Sequence, residues 1–71
     1  MRYFSTQRPV APGTYPRPVD NTVIGVTNFS GREYCEEIHQ EAWGFVDYDK
    51  ELREQDADMY ELVLAKKEKN A

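Results

Sequence analysis

Cys35 and His39 come first, because a thiol beside an imidazole is a common way to make a nucleophile. On a helix their spacing would put them on neighbouring turns. An activated thiolate also needs an orienting third group and an oxyanion site, and no motif in the chain supplies them. Cys35 therefore reads as a small core residue, and His39 as a partly exposed flank residue beside Trp43. A single His and a single Cys also fall short of the ligand set of a structural zinc site. The chain has no Gly-rich phosphate loop and no Ser/His/Asp set. It reads as a protein with no catalytic residues, no metal and no other cofactor.

Carboxylates are the other candidate chemistry. Pairs such as Glu36 with Glu37, or Asp47 with Asp49, would do acid–base work only if one carboxyl sat in a dry cleft with a raised pKa. Instead the acids crowd one stretch, from Glu33 through Glu61, opposed there only by Lys50 and Arg53. The other arginines and lysines flank it, and the whole chain carries −4. The default reading is a solvated face; the functional one is a binding face. A row of carboxylates imitates phosphate spacing and attracts a basic protein surface by salt-sensitive steering. Glu33, Glu36, Glu37, Glu41, Asp47 and Asp49 are the candidate partner-binding residues, and the expected partner is a protein with a basic surface. Arg2, Tyr3, Phe4, Arg8, Tyr15 and Arg17 interleave base and aromatic, as in single-strand nucleic-acid binders. Scattered arginines are no basic patch, and the acidic half repels phosphate, so direct nucleic-acid binding is not expected.

These side chains need elements to position them. Ser30 and Glu33 match a capping box, and at 100° per residue Tyr34, Cys35, Ile38 and Ala42 share one arc. The spacing predicts a helix over about 31–42, with Gly44 as a left-handed C-cap. Glu37 and Glu41 would then share a helix face, and Asp47 and Asp49 a strand face. Strands are expected at Met1–Gln7 (an edge strand), at Thr22–Phe29 with a bulge at Gly25, at Trp43–Tyr48, and at Tyr60–Leu64. Leu52–Met59 reads as a short helix or turn; one helix over 52–66 is the alternative. All prolines fall between Pro9 and Pro18, so 9–19 is an irregular, extended segment crossing the sheet and held by Tyr15.

The expectation is a small single α+β domain over 1–65. It has a three- to four-stranded, mainly antiparallel sheet and one principal helix (about 31–42), followed by a solvated tail over 66–71. The expected core is Phe4, Val23, Ile24, Val26, Phe29, Ile38, Trp43, Phe45, Val46, Leu62 and Leu64. A lone cysteine allows no internal disulfide, and a chain of 71 residues buries only roughly 60% of its unfolded surface. Packing or self-association must make up the difference, which leaves a homodimer open. No apolar run approaches the roughly 18–20 residues of a membrane span, and the N-terminus lacks a signal-peptide core. With one unpaired thiol, a cytoplasmic location is expected.

Several segments carry a family resemblance: residues 2–9, Pro12–Pro16, Asn28-Phe29, Tyr34–Ile38, Glu41–Tyr48 and Tyr60–Val63. Together they resemble the N-terminal half of small bacterial mobile-element proteins labelled as related to a phage "defence against restriction" protein. The resemblance spans Arg2 to Ala65, and Glu41–Tyr48 is its most specific part. It implies a non-enzymatic accessory protein of a phage or conjugative element. Such a protein would bind and obstruct a host defence protein, of restriction or CRISPR type, through the acidic face. The alternative is a self-associating structural or regulatory module.

Overall fold

The structure, a computed structural model, describes residues 1–65; the tail expected over 66–71 lies outside the described residues. Strands β1 (Arg2–Ser5), β2 (Val23–Cys35), β3 (Gln40–Tyr48) and β4 (Leu62–Leu64) form one antiparallel sheet in the order β2-β3-β1-β4. One short helix, α1 (Glu54–Met59), precedes β4. The α+β class and the four-stranded sheet agree with the sequence; the principal helix does not.

Residues 31–42 are the distal end of the β2–β3 hairpin. Glu33 pairs with Ala42, Tyr34 with Glu41 and Cys35 with Gln40. The Ile38 N–H donates to the Cys35 carbonyl (3.2 Å) and the His39 N–H to the Glu36 carbonyl (3.3 Å), closing a four-residue turn. Cys35, Ile38 and Ala42 do come together, so the apolar grouping is right and its cause is different. In the ladder Cys35 and Ala42 share one face, and Ile38 joins them from the turn. Periodicity over so short a window does not separate the two solutions. Pairing to β3 decides for strand, because strand formation depends on cross-strand packing more than on local propensity. Ser30 and Glu33 accordingly lie inside β2 and cap nothing.

Gly44 is not a helix cap either. It lies in β3, where an added Cβ would sit 2.2 Å from the Thr27 carbonyl oxygen on β2, so only glycine permits the approach. The bulge expected at Gly25 is present as a register shift between Val23 and Gly25, and a second shift lies between Asn28 and Glu33. β1 is an inner strand and not an edge: Tyr3 pairs with Val46 on one side and Leu64 on the other. Glu61, at φ +57°, ends α1 and turns the chain into β4, so no single helix runs from residue 52 through the described residues.

Strand alternation splits the core into two faces. On one, Tyr3, Val46, Tyr48 and Leu62 meet Val10 and Leu52, with Tyr15, Ala57 and Tyr60 packed alongside. The proline-rich segment crosses this face as expected. The Asn28 side chain grips Val10 like a strand partner, accepting from its N–H (2.8 Å) and donating to its carbonyl (2.7 Å). The Tyr48 hydroxyl donates to the Pro16 carbonyl at 2.6 Å, and the Leu52 N–H donates to the Tyr3 hydroxyl at 2.8 Å. On the other face, Phe4, Phe45 and Val63 are covered by Cys35, Ile38, Ala42 and Phe29, which requires the hairpin to fold back over the sheet. The expected core is corrected on two counts. Ile24 and Val26 are exposed, and Val23, Phe29, Trp43, Phe45 and Leu64 are only half-buried. Tyr3, Val10, Ala42, Tyr48 and Leu52 are buried in their place.

Candidate functional site

The folded-back hairpin leaves a groove between its tip and the sheet. Tyr34, Glu36, Glu37 and His39 line it from the tip; Met1, Arg2, Ile24 and Asp47 line it from the sheet. Its apolar lining is unusually open to solvent for such residues, with Ile24 65% and Tyr34 60% exposed. These positions follow from the backbone. Ile24 sits in the Val23/Gly25 register shift, where a bulge re-aims its side chain out of the core. Tyr34 is paired with Glu41 on the hairpin face opposite Cys35. The sequence held both signals: a glycine beside Ile24, and strict alternation at residues 34 and 35 once a strand is assumed.

The candidate acids fall into three groups. Glu36 and Glu37 occupy the hairpin turn, exposed and in no ion pair among the described residues. Asp47 and Glu41 are engaged by the chain itself. Arg2 donates from Nε (2.8 Å) and Nη2 (3.2 Å) to the two carboxylate oxygens of Asp47, while its guanidinium carbon lies 3.9 Å from the centroid of the Phe45 ring. Arg32 reaches Glu41 at 3.3 Å, a half-exposed pair worth at most about 1 kcal/mol. Glu33 and Asp49 stand apart. Glu33 shares a ladder face with Ala42, opposite the Tyr34–Glu41 face, and Asp49 follows the end of β3 with its N–H bonded to the Thr22 carbonyl. No helix face unites Glu37 with Glu41, and no strand face unites Asp47 with Asp49.

The same geometry bears on the other sequence candidates. Cys35 is buried while His39 is exposed in the turn. Burial, then Glu37 and Glu33, push the Cys35 thiol above its ordinary pKa, which keeps it protonated, the opposite of an activated nucleophile. Among the described residues no cluster of three or more His, Cys, Asp or Glu is disposed to hold a metal ion. No helix of the described residues is long and apolar enough to cross a membrane. Of the interleaved arginines and aromatics, Arg2 and Arg8 are paired with Asp47 and Glu61, and Tyr3 and Phe4 are buried.

The groove thus combines exposed apolar side chains with carboxylates on its rim. No curated protein and no solved structure matches the chain. Residues 1–67, which take in the whole sheet, the proline-rich crossing and the groove, match the family described as "Defence against restriction A C-terminal", and the chain belongs to that family.

Proposed function

We propose that this protein is a non-enzymatic accessory factor of a phage or conjugative element that binds a host defence protein, of restriction or CRISPR type, and obstructs it. The family name supports the anti-restriction theme. One observation supports the acidic version of the contact: Glu36 and Glu37 project at the hairpin tip without an ion pair among the described residues, beside exposed apolar side chains. Defence nucleases carry basic surfaces for nucleic acid, and carboxylates presented from a rigid turn compete for such a surface without the cost of ordering a loop.

The test is protection of unmodified DNA in cells carrying a restriction system, with and without this protein. Wild type raises the surviving fraction. Glu36→Lys with Glu37→Lys removes the protection, and binding to the captured partner weakens as salt rises. Equal protection by the doubly reversed variant, with a flat salt response, sinks the reading. A second reading rests on a different observation: β2 is an edge strand of 13 residues with Ile24 and Val26 exposed, a template for pairing with another copy. Sedimentation over a concentration series separates the two, and a strict monomer at high concentration excludes self-association.

A further inference from the structure

We infer that the groove under the hairpin tip receives an extended partner segment in which a lysine or arginine stands next to a bulky aliphatic side chain. This inference rests on the reading that the chain acts by binding a protein, and it names the chemistry of what is bound. Two features of the groove define the occupant. The first is apolar. Met1, Ile24 and Tyr34 offer solvent-exposed surface from both walls, 47%, 65% and 60% exposed respectively. Removing such surface from water is worth roughly 25 cal/mol per Å², so an aliphatic anchor seated between the walls supplies affinity that a purely charged ligand lacks.

The second feature is charge. Glu36, Glu37 and Asp47 face the groove, and the one guanidinium there, Arg2, already gives two hydrogen bonds to Asp47. The Met1 amino group is likewise held, by the Tyr48 carbonyl at 2.8 Å, and Glu37 acts on Arg2 from a distance; the three carboxylates still outnumber the two cations, so the groove favours a cation over phosphate or a carboxylate. Ile24, Tyr34, Glu36 and Glu37 lie on one strand-and-turn unit, so an occupant needs its cationic and aliphatic groups close together. Adjacent side chains of an extended segment diverge to opposite faces and meet both walls of a groove at once. The hairpin cannot shift to admit a different shape without cost, because Cys35, Ile38 and Ala42 anchor it on Phe4.

The probe is a fluorescein-labelled heptapeptide of alternating lysine and isoleucine, read by anisotropy against the full chain, with lysine–serine and glutamate–isoleucine peptides as controls. The lysine–isoleucine peptide is expected to bind about tenfold or more tightly than either control. Its amide-shift changes should centre on Ile24, Tyr34, Glu36 and Glu37. Ile24→Ser with Tyr34→Ser, and separately Glu36→Lys with Glu37→Lys, should each weaken it by about tenfold or more, whereas Asp49→Lys leaves it unchanged. Ile24 and Tyr34 are exposed, so their replacement leaves the core intact, and an unchanged melting temperature checks this. Equal affinity for the lysine–serine peptide, no measurable binding, or shifts centred elsewhere overturns the groove. The restriction-protection assay keeps the two readings apart. If charge reversal abolishes protection and the Ile24/Tyr34 variant protects fully, the groove falls while the acidic contact stands. Loss of protection in both variants supports the groove.

Discussion

Gly44 shows how much one absent methyl group decides. Its backbone lies so close to β2 that a Cβ would fall 2.2 Å from the Thr27 carbonyl oxygen, and backbone cannot yield as a side-chain tip can. Gly44→Ala is expected to cost about 1–3 kcal/mol, read as a lower urea midpoint; an unchanged midpoint contradicts the close approach. Tyr48 makes a second case. It is fully buried, its hydroxyl donates to the Pro16 carbonyl, and its ring meets Tyr3 edge-on at 5.7 Å. Burial pushes its pKa well above the ordinary 10.0, and burial raises that of Tyr3 too. The folded state therefore keeps protons that the unfolded chain releases from about pH 10 upward, so stability is whole below that pH and falls as pH rises beyond it. Tyr48→Phe is expected to flatten this alkaline loss while lowering stability near neutrality, measured by urea melts at pH 7 and above 10. A stability that is flat above pH 10 in the parent would refute the buried phenol. Among the aromatics the sequence pointed correctly to Phe4 as core, but Phe29, Trp43 and Phe45 are only half-buried and Tyr3 and Tyr48 were missed. Tyr3 and Tyr48 are inside because each phenol finds a backbone partner, 49 and 32 residues away, and such long-range satisfaction leaves no local mark.

At the scale of elements, the strand tendency of residues 22–29, the bulge at Gly25, the stiff proline-rich crossing and the short α1 before β4 were all legible, since each rests on local chemistry. The β2–β3 turn was not. It lacks glycine, its left-handed position being filled by His39 at φ +56°, and the residues it brings together imitate a helical stripe. His is among the residue types that enter this region more readily than most, which was the one available hint. The two solutions make opposite predictions for His39→Gly. In a helix interior the change would cost about 1 kcal/mol; in this turn it relieves a left-handed strain and is expected to raise stability by about 0.5–1 kcal/mol. Thermal melts read the sign directly, and a clear destabilisation would contradict the hairpin. The acidic candidates depended on that element. With the helix gone, Glu36 and Glu37 remain together at the tip, Glu41 is paired with Arg32, and Asp49 stands beyond the strand.

For the molecule as a whole, the sorting of charge along the chain is only partly kept in space. Arg2 and Arg8 reach Asp47 and Glu61, joining segments remote in sequence, and Arg32 reaches Glu41 across the β2–β3 hairpin. Composition showed the excess of −4 but not these partners: the first two depend on a non-local sheet order, and the third on a hairpin where the sequence suggested a helix. That order also sets a timetable. The β2–β3 hairpin joins neighbours in the chain, but β1 lies between strands that begin at Gln40 and Leu62. Loop closure over such distances slows folding. Refolding is expected on the millisecond-to-second scale, followed by stopped-flow fluorescence of Trp43, and a microsecond phase with full amplitude would contradict it. During synthesis Tyr3 and Phe4 emerge before β3 and β4 and have no berth until those strands leave the ribosome. Their two aromatic rings thus stay bare on the growing chain until partners made much later arrive to cover them.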